Sequence, residues 1–317
     1  MKLFFDDIVK ITVGSVETWQ EGDEIHFSKC TKKQLEVWNR VEPDIINNAK
    51  ATTGVRFDFC TNSSFVRVAA KQNQKHEIKV DGVLEKQIIV DESGEFEIQL
   101  GKTGVFRRVV ITLPNHFCQG VVRYIEVEDG CEIKRSSFDC KALFLGDSIT
   151  QGHAGKFDSN CFAYLVSDSL NAESVIQGIG GSRFEPETVM DIGFSPDMVF
   201  VAYGTNDFNV LPSLNKLKSA CFEYLSRVKQ LYSRSQIYVI SPVWRADENQ
   251  KRQMGSFADC CESIKKIAKN LGLNLIDGEK MLNKNMDFMH DAIHPNDLGF
   301  GVYAHNLLRE INNLKKA

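Results

Sequence analysis

The feature that most limits what this chain can fold into is a change of hydrophobic period near residue 138. Before it, apolar and polar residues alternate in VRFDFC (55–60), SFVRVAA (64–70), HEIKV (76–80), VLEKQIIV (83–90), EFEIQL (95–100) and VFRRVVITL (105–113). A period of two places one set of side chains on one face, the pattern of half-buried strands. Asp81-Gly82 and the sequence DESG separate neighbouring strands and suit tight hairpins, where Gly tolerates positive φ. Short antiparallel strands in such close succession predict a β-sandwich, jelly-roll-like, over residues 1–138.

After KRSSFDCK the pattern becomes short apolar strands alternating with amphipathic helices. The strands are ALFLG (142–146), SVIQ (174–177), DMVFVAYG (197–204), QIYVIS (236–241) and LNLID (273–277). Leu214, Leu217, Cys221, Leu225, Val228 and Leu231 recur at helical spacing. A second helix is expected across 249–271, and a last one from Asn296 with Ala304, Leu307, Leu308 and Ile311 on its inner face. This order predicts an α/β domain over 139–317 with a doubly wound, flavodoxin-like parallel sheet. Ligands of such sheets bind beyond the carboxyl ends of the strands, so chemistry is expected there.

With 317 residues the chain is long enough for both domains. Its net charge of −4 is evenly spread, with 19 basic against 22 acidic residues up to position 140 and 19 against 20 beyond it. Neither half has the basic surface a nucleic-acid partner would need. No apolar run is long enough to span a membrane, and Asp6 and Asp7 interrupt the opening apolar stretch that a secretion signal would continue. The expectation is a cytoplasmic protein with no membrane partner. Nine cysteines without a C-x-x-C spacing fit reduced residues of the core. Cys260 and Cys261 are adjacent, but neighbours on a helix point to different faces, which argues against a joint ligand or redox site.

Four motifs stand at four strand ends. The first strand runs into GDSITQG, where Ser148 either projects from a tight turn or joins Asp147 in capping the next helix. The second runs into QGIGGSR, whose glycines leave a backbone N–H open to a ligand; a dinucleotide fingerprint would need glycine where Arg183 stands. The third ends in GTND, where Asn206 offers a side-chain donor or forms an Asx turn. The fifth precedes DFMHDAIHPND, with Asp291 and His294 three residues apart, expected on one side of a helical turn. His290 and His294 also form H-D-x-x-H, but Pro295 does not suit the continuous helix of a zinc peptidase, so no metal is expected. Because the sheet is parallel, Ser148, Gly181, Asn206 and the Asp291/His294 pair must meet on one rim. They supply a nucleophile, a base with its orienting carboxylate, and oxyanion donors.

These blocks resemble the SGNH, or GDSL-type, hydrolase family over roughly 141–317. The resemblance implies Ser148 as nucleophile, His294 as base and Asp291 as its partner, with an oxyanion hole from Ser148, Gly181 and Asn206. The family often has Asn where this chain has Gln177. A β-sandwich ahead of the hydrolase domain is similar to the layout of carbohydrate esterase family 2 and related deacetylases. That implies a serine esterase acting without a cofactor on short acyl esters, acetyl first, of a small-molecule or oligosaccharide substrate. A lipase or thioesterase for longer chains and an inactive glycan-binding protein are the alternatives. Asp147 and Asp207 are expected to anchor turns. Trp244, after the fourth strand, lines a substrate pocket or packs within its loop, and Arg183 contacts substrate or is solvated.

Overall fold

The computed structural model describes residues 1–316 and contains three sheets. Two are antiparallel and built from the first 135 residues. One has the order Glu17–Glu21, Glu24–Ser28, Val121–Glu126, Phe65–Ala70, Glu95–Gln99, with Lys2–Leu3 added beside Val121–Glu126. The other runs Ile133–Arg135, Arg56–Thr61, Arg107–Thr112, Lys75–Val80, Val83–Ile89, with Thr12–Val13 beside Arg56–Thr61. Alternation in sequence becomes a two-layer core: Phe27, Val68 and Ile125 from the first sheet meet Phe57, Phe59, Ile78 and Ile111 from the second, all fully buried. The Asp81-Gly82 hairpin has positive φ at both residues, +50° and +84°, the geometry that matches strand twist in a two-residue loop.

The first 54 residues hold more than the period-two reading anticipates. Helix Phe5–Ile11 lies between strands Lys2–Leu3 and Thr12–Val13, and helices Lys32–Val41 and Ile46–Lys50 are inserted between strands Glu24–Ser28 and Arg56–Thr61. The first inserted helix starts at a capping box, in which the Thr31 side chain accepts from Gln34 N–H and the Gln34 side chain accepts from Thr31 N–H.

The third sheet is parallel, ordered Ala172–Gly178, Cys140–Gly146, Met198–Ala202, Gln236–Ile240, Asn274–Ile276. Phe162, Tyr303 and Leu307 of helices Phe162–Ser169 and Asp297–Lys316 pack with Phe144, Phe200 and Tyr238 on one face. Helices Leu214–Leu231 and Phe257–Asn270 cover Leu143, Val199, Val201 and Val239 on the other. Each such fully buried side chain contributes roughly 1.5–3 kcal/mol of burial. The helix expected from 249 begins only at Phe257, because Ser256 caps it by accepting from Asp259 N–H. The first strand lies between the second and the third, so the chain reverses its direction of winding at the end of Cys140–Gly146, the position where such sheets form their binding crevice.

Candidate active site

Asp147 follows strand Cys140–Gly146 and caps a one-turn helix, Ser148–Gln151, its Oδ1 accepting from Ile149 N–H at 2.9 Å. Both readings of the GDS turn therefore hold: Asp147 is the cap, and Ser148, only 8% exposed, is presented at the first helical position. The turn tolerates no side chain at Gly146, where a Cβ would lie 2.0 Å from Thr150 Oγ1.

Ser148 Oγ lies 2.9 Å from His294 Nε2, and His294 Nδ1 lies 2.8 Å from Asp291 Oδ2. The other carboxylate oxygen, Oδ1, accepts from the backbone N–H of Ile293 and of His294, each at 2.7 Å. Burial alone would raise the Asp291 pKa, but the hydrogen bonds from His294 and Ile293 outweigh it and hold the carboxyl at about 2. An ionised Asp291 fixes the Nδ1–H tautomer, leaving Nε2 as acceptor for the serine proton. The pair does not share a helical turn, as its spacing had suggested. Residues 290–293 form bends and Met289 and Pro295 are bridged, as the residue before proline, His294, avoids the helical region.

Three groups beyond the carboxyl ends of the first three parallel strands have hydrogen-bonding capacity. Gly180 N–H is taken by Gln151 Oε1 at 2.7 Å, whereas Gly181 N–H and Ser148 N–H meet no acceptor among the described residues. Gly181 has φ +85°, and a Cβ there would lie 2.6 Å from Ile45 Cγ2. Asn206, in the first turn of helix Thr205–Val210, gives one Nδ2 hydrogen to Ser182 O at 2.9 Å, and its amide carries a second hydrogen. Asp207, fully buried, accepts from Phe184 N–H at 3.3 Å and so ties the third strand's loop to the second's.

Arg183 is partly exposed, and its guanidinium pairs with Glu42 of the insertion at 2.7 Å. Trp244 is 8% exposed and packs in the core cluster that includes residues of the last helix. A cavity of about 350 Å³ lined by Arg56, Lys79, Arg108 and Phe138 sits near the amino end of the parallel strands and includes none of the triad. Among the described residues no group of three or more His, Cys, Asp or Glu is arranged to hold a metal ion, and no helix is long and apolar enough to cross a membrane.

Residues the motifs did not reveal surround the triad. The His153 ring meets the His294 ring edge-on with centroids 4.6 Å apart, and His116 meets His153 at 5.7 Å. The N-terminal part grips two loops of the parallel domain. Asn48 Nδ2 donates to Gly180 O at 3.0 Å, and Asn115 and Gln151 exchange hydrogen bonds of 2.7 and 3.0 Å. Glu77 accepts from Asp158 N–H and Ser159 N–H at 2.6 and 3.0 Å. The capping pattern Thr31-x-x-Gln34 was the one visible signal of the insertion that carries Ile45 and Asn48.

The sequence model of the GDSL-like lipase/acylhydrolase family matches residues 144–302. None of the curated proteins matches the chain. Among solved structures, SsfX3, a salicylyl-acyltransferase from a tetracycline biosynthetic pathway, is 16% identical with TM-score 0.84, covering 99% of this chain and 97% of its own. A family two carbohydrate esterase from Clostridium thermocellum, in complex with cellohexaose, is 16% identical with TM-score 0.67, covering 83% and 93%. The acetyl xylan esterase Est2A from Butyrivibrio proteoclasticus is 14% identical with TM-score 0.69, covering 100% and 99%. These likenesses concern the fold across both halves, whereas the family match spans the strand ends that carry Ser148, Gly181, Asn206, Asp291 and His294. The chain belongs to the GDSL-like lipase/acylhydrolase family and is a carboxylic ester hydrolase.

Proposed function

We propose that the protein is a serine esterase that removes short acyl groups, acetyl first, from hydroxyls of a carbohydrate or similar polar alcohol. The observation that carries this reading is the unbroken relay from Ser148 Oγ through His294 to Asp291, at 2.9 and 2.8 Å. In the cycle, Ser148 Oγ attacks the ester carbonyl while His294 Nε2 takes its proton. The oxyanion is met by Ser148 N–H, Gly181 N–H and the Asn206 amide. His294 then protonates the departing alcohol, and water, deprotonated by the same imidazole, releases the acid from the acyl-enzyme. Asp291 stabilises the imidazolium in both halves.

Support for a carbohydrate substrate comes from the two-domain likeness to an esterase bound to cellohexaose and to an acetyl xylan esterase. The acyl preference rests on the short, polar or mixed connections HAGKFDSN and FNVLPSLN beside the site, which offer little apolar surface to a long chain. Each methylene left in water forgoes up to ~0.8 kcal/mol of burial. A cytoplasmic location is part of this proposal. Measuring kcat/KM on nitrophenyl esters from acetate to dodecanoate tests it: a maximum at acetate or propionate is expected, and a maximum at octanoate or longer would move the enzyme to lipase or thioesterase chemistry. The likeness to an acyltransferase at TM-score 0.84 favours a second arm with added acceptor alcohols. Hydrolysis as the dominant outcome supports the esterase reading, and dominant ester exchange contradicts it.

A further inference from the structure

Lys29, between strand Glu24–Ser28 and the inserted helices, is fully buried. Its Nζ donates to Asn48 O at 2.9 Å, to Thr53 Oγ1 at 2.8 Å and, across to the parallel domain, to Gly178 O at 2.8 Å. No ion pair involving Lys29 occurs among the described residues, so this charge is balanced by dipoles alone. Buried lysines are costly and seldom left without a carboxylate. A neutral residue of similar length would serve packing at lower cost, so packing does not explain Lys29.

What the ammonium holds does explain it. Gly178 closes the second parallel strand, and the turn that follows carries Gly180 and Gly181. The same segment is gripped at three more points from the N-terminal half: Asn48 donates to Gly180 O, Gln34 donates to Gln177 Oε1 at 3.1 Å, and Gln177 Nε2 donates to Lys29 O at 2.7 Å. Ile45 packs where a Cβ of Gly181 would be. A left-handed turn with a free N–H is therefore clamped from outside its own domain, with Lys29 as the charged contact at Gly178 O and the Arg183–Glu42 pair two residues beyond Gly181.

We propose that Lys29 is a positioning residue for the turn that presents Gly181 N–H to the reacting carbonyl, through its hydrogen bond to Gly178 O. This rests on the reading of Gly181 as an oxyanion donor. The ammonium satisfies all three acceptors, but a neutral amine has only two hydrogens to give. Thr53 already donates to Asn115 O at 3.2 Å, so loss of the proton leaves an acceptor short or turns the hydroxyl away. Burial, partly offset by neighbouring Cys30, lowers the Lys29 pKa to about 7. Burial pushes the Cys30 thiol up to about 11 and lowers His116 to about 4, so these two neighbours are neutral at that pH, while Glu17 acts on Cys30 from strand Glu17–Glu21 and the Arg183–Glu42 pair borders the same turn. The clamp thus loosens as pH rises through the Lys29 transition, and oxyanion stabilisation weakens with it.

Lys29→Met keeps the apolar stem and removes the donors. On a chromogenic acetate ester its kcat is expected to fall about 10- to 100-fold with KM within about twofold, as for a misplaced transition-state donor. The alkaline fall of kcat in the wild-type enzyme is expected to disappear in the variant. Unchanged kcat in Lys29→Met, or the same alkaline fall in both proteins, overturns the proposal. If Lys29→Met does not fold, the wild-type profile and Asn48→Ala decide: an alkaline fall together with lower kcat in Asn48→Ala supports the clamp, and the absence of either overturns it. Ser148→Ala in the same assay separates the two claims, because an active Ser148→Ala sinks the site reading itself, whereas an inactive one with unaffected Lys29→Met sinks only the role of Lys29.

Discussion

Asp291 holds His294 at two points: Oδ2 lies 2.8 Å from Nδ1 of the ring and Oδ1 accepts the backbone N–H of the same residue at 2.7 Å. Ring and main chain are thereby fixed by one carboxylate, which sets the angle at which Nε2 meets Ser148. The contact belongs to four residues of sequence, so the rim needs only the position of the loop, not its helicity, to deliver the base.

Asp291→Asn keeps the shape and one acceptor but gives up the charge that stabilises the imidazolium and selects its tautomer. The expected loss in kcat is about 10³- to 10⁴-fold, with KM little changed, by the logic of other Ser-His-Asp enzymes. Steady-state kinetics on an acetate ester checks it. A loss of less than about tenfold would show that the contact is structural only.

Gly181→Ala meets two separate obstacles, the left-handed φ of +85° and the 2.6 Å approach of Ile45 Cγ2. The variant is expected to lose at least about tenfold in kcat as the turn shifts. Adding Ile45→Ala removes the clash but leaves the backbone cost of roughly 1–2 kcal/mol, so the double variant should recover part of the rate. No recovery would mean that φ alone dictates glycine here.

Asn206→Ala removes one oxyanion donor together with the bond to Ser182 O. A fall in kcat of roughly 10²- to 10³-fold is expected, with the thermal midpoint shifted by only a few degrees. An unchanged kcat would remove Asn206 from the hole.

Buried Asp207 and Asp147 make stability depend on pH. Burial raises both pKa values to about 7, against hydrogen bonds from Phe184 N–H and Ile149 N–H that lower them. The folded protein keeps these protons where the unfolded chain, with carboxyls near 3.8, has released them. Stability from this source therefore falls as pH rises from about 4 to 7 and stays reduced above it. Burial holds His76 and His116 at about 4, below the usual 6.5, which acts in the opposite sense over an overlapping range, so the variant and not the wild-type curve carries the test. Asp207→Asn should gain stability relative to wild type at pH 8 over pH 5, with ~2.6 kcal/mol as a ceiling. Urea unfolding at the two pH values measures it, and an identical pH dependence in both proteins would contradict it.

Much of this was legible in the sequence because the signals are local. Alternation such as that in 55–60 and 105–113 marks strands, and the apolar runs 142–146 and 197–204 mark buried parallel ones, which the sheets reproduce. Ser148 and Asn206 closely follow strands, and Asp291 and His294 lie in the connection between the last strand and the last helix, which brings His294 to Ser148. What was not legible depends on contacts distant in sequence. Lys29, Ile45 and Asn48 lie in a stretch without a clear period, and their importance comes from Gly178 to Gly181, about 130 to 150 residues further on. Arg183 looked unpartnered only because Glu42 lies in that same stretch. Two helix starts had readable caps, Thr31-x-x-Gln34 and Ser256-x-x-Asp259, and the second would have moved the expected helix from 249 to 257.

The central claim is that Ser148 is the nucleophile of an acyl-enzyme cycle. Hydrolysis of a small chromogenic acetate ester by pure Ser148→Ala, shown to be folded by circular dichroism, tests it most directly. The account predicts a fall in kcat of about 10⁴-fold or more. A folded variant that kept more than about a tenth of the wild-type rate would contradict it.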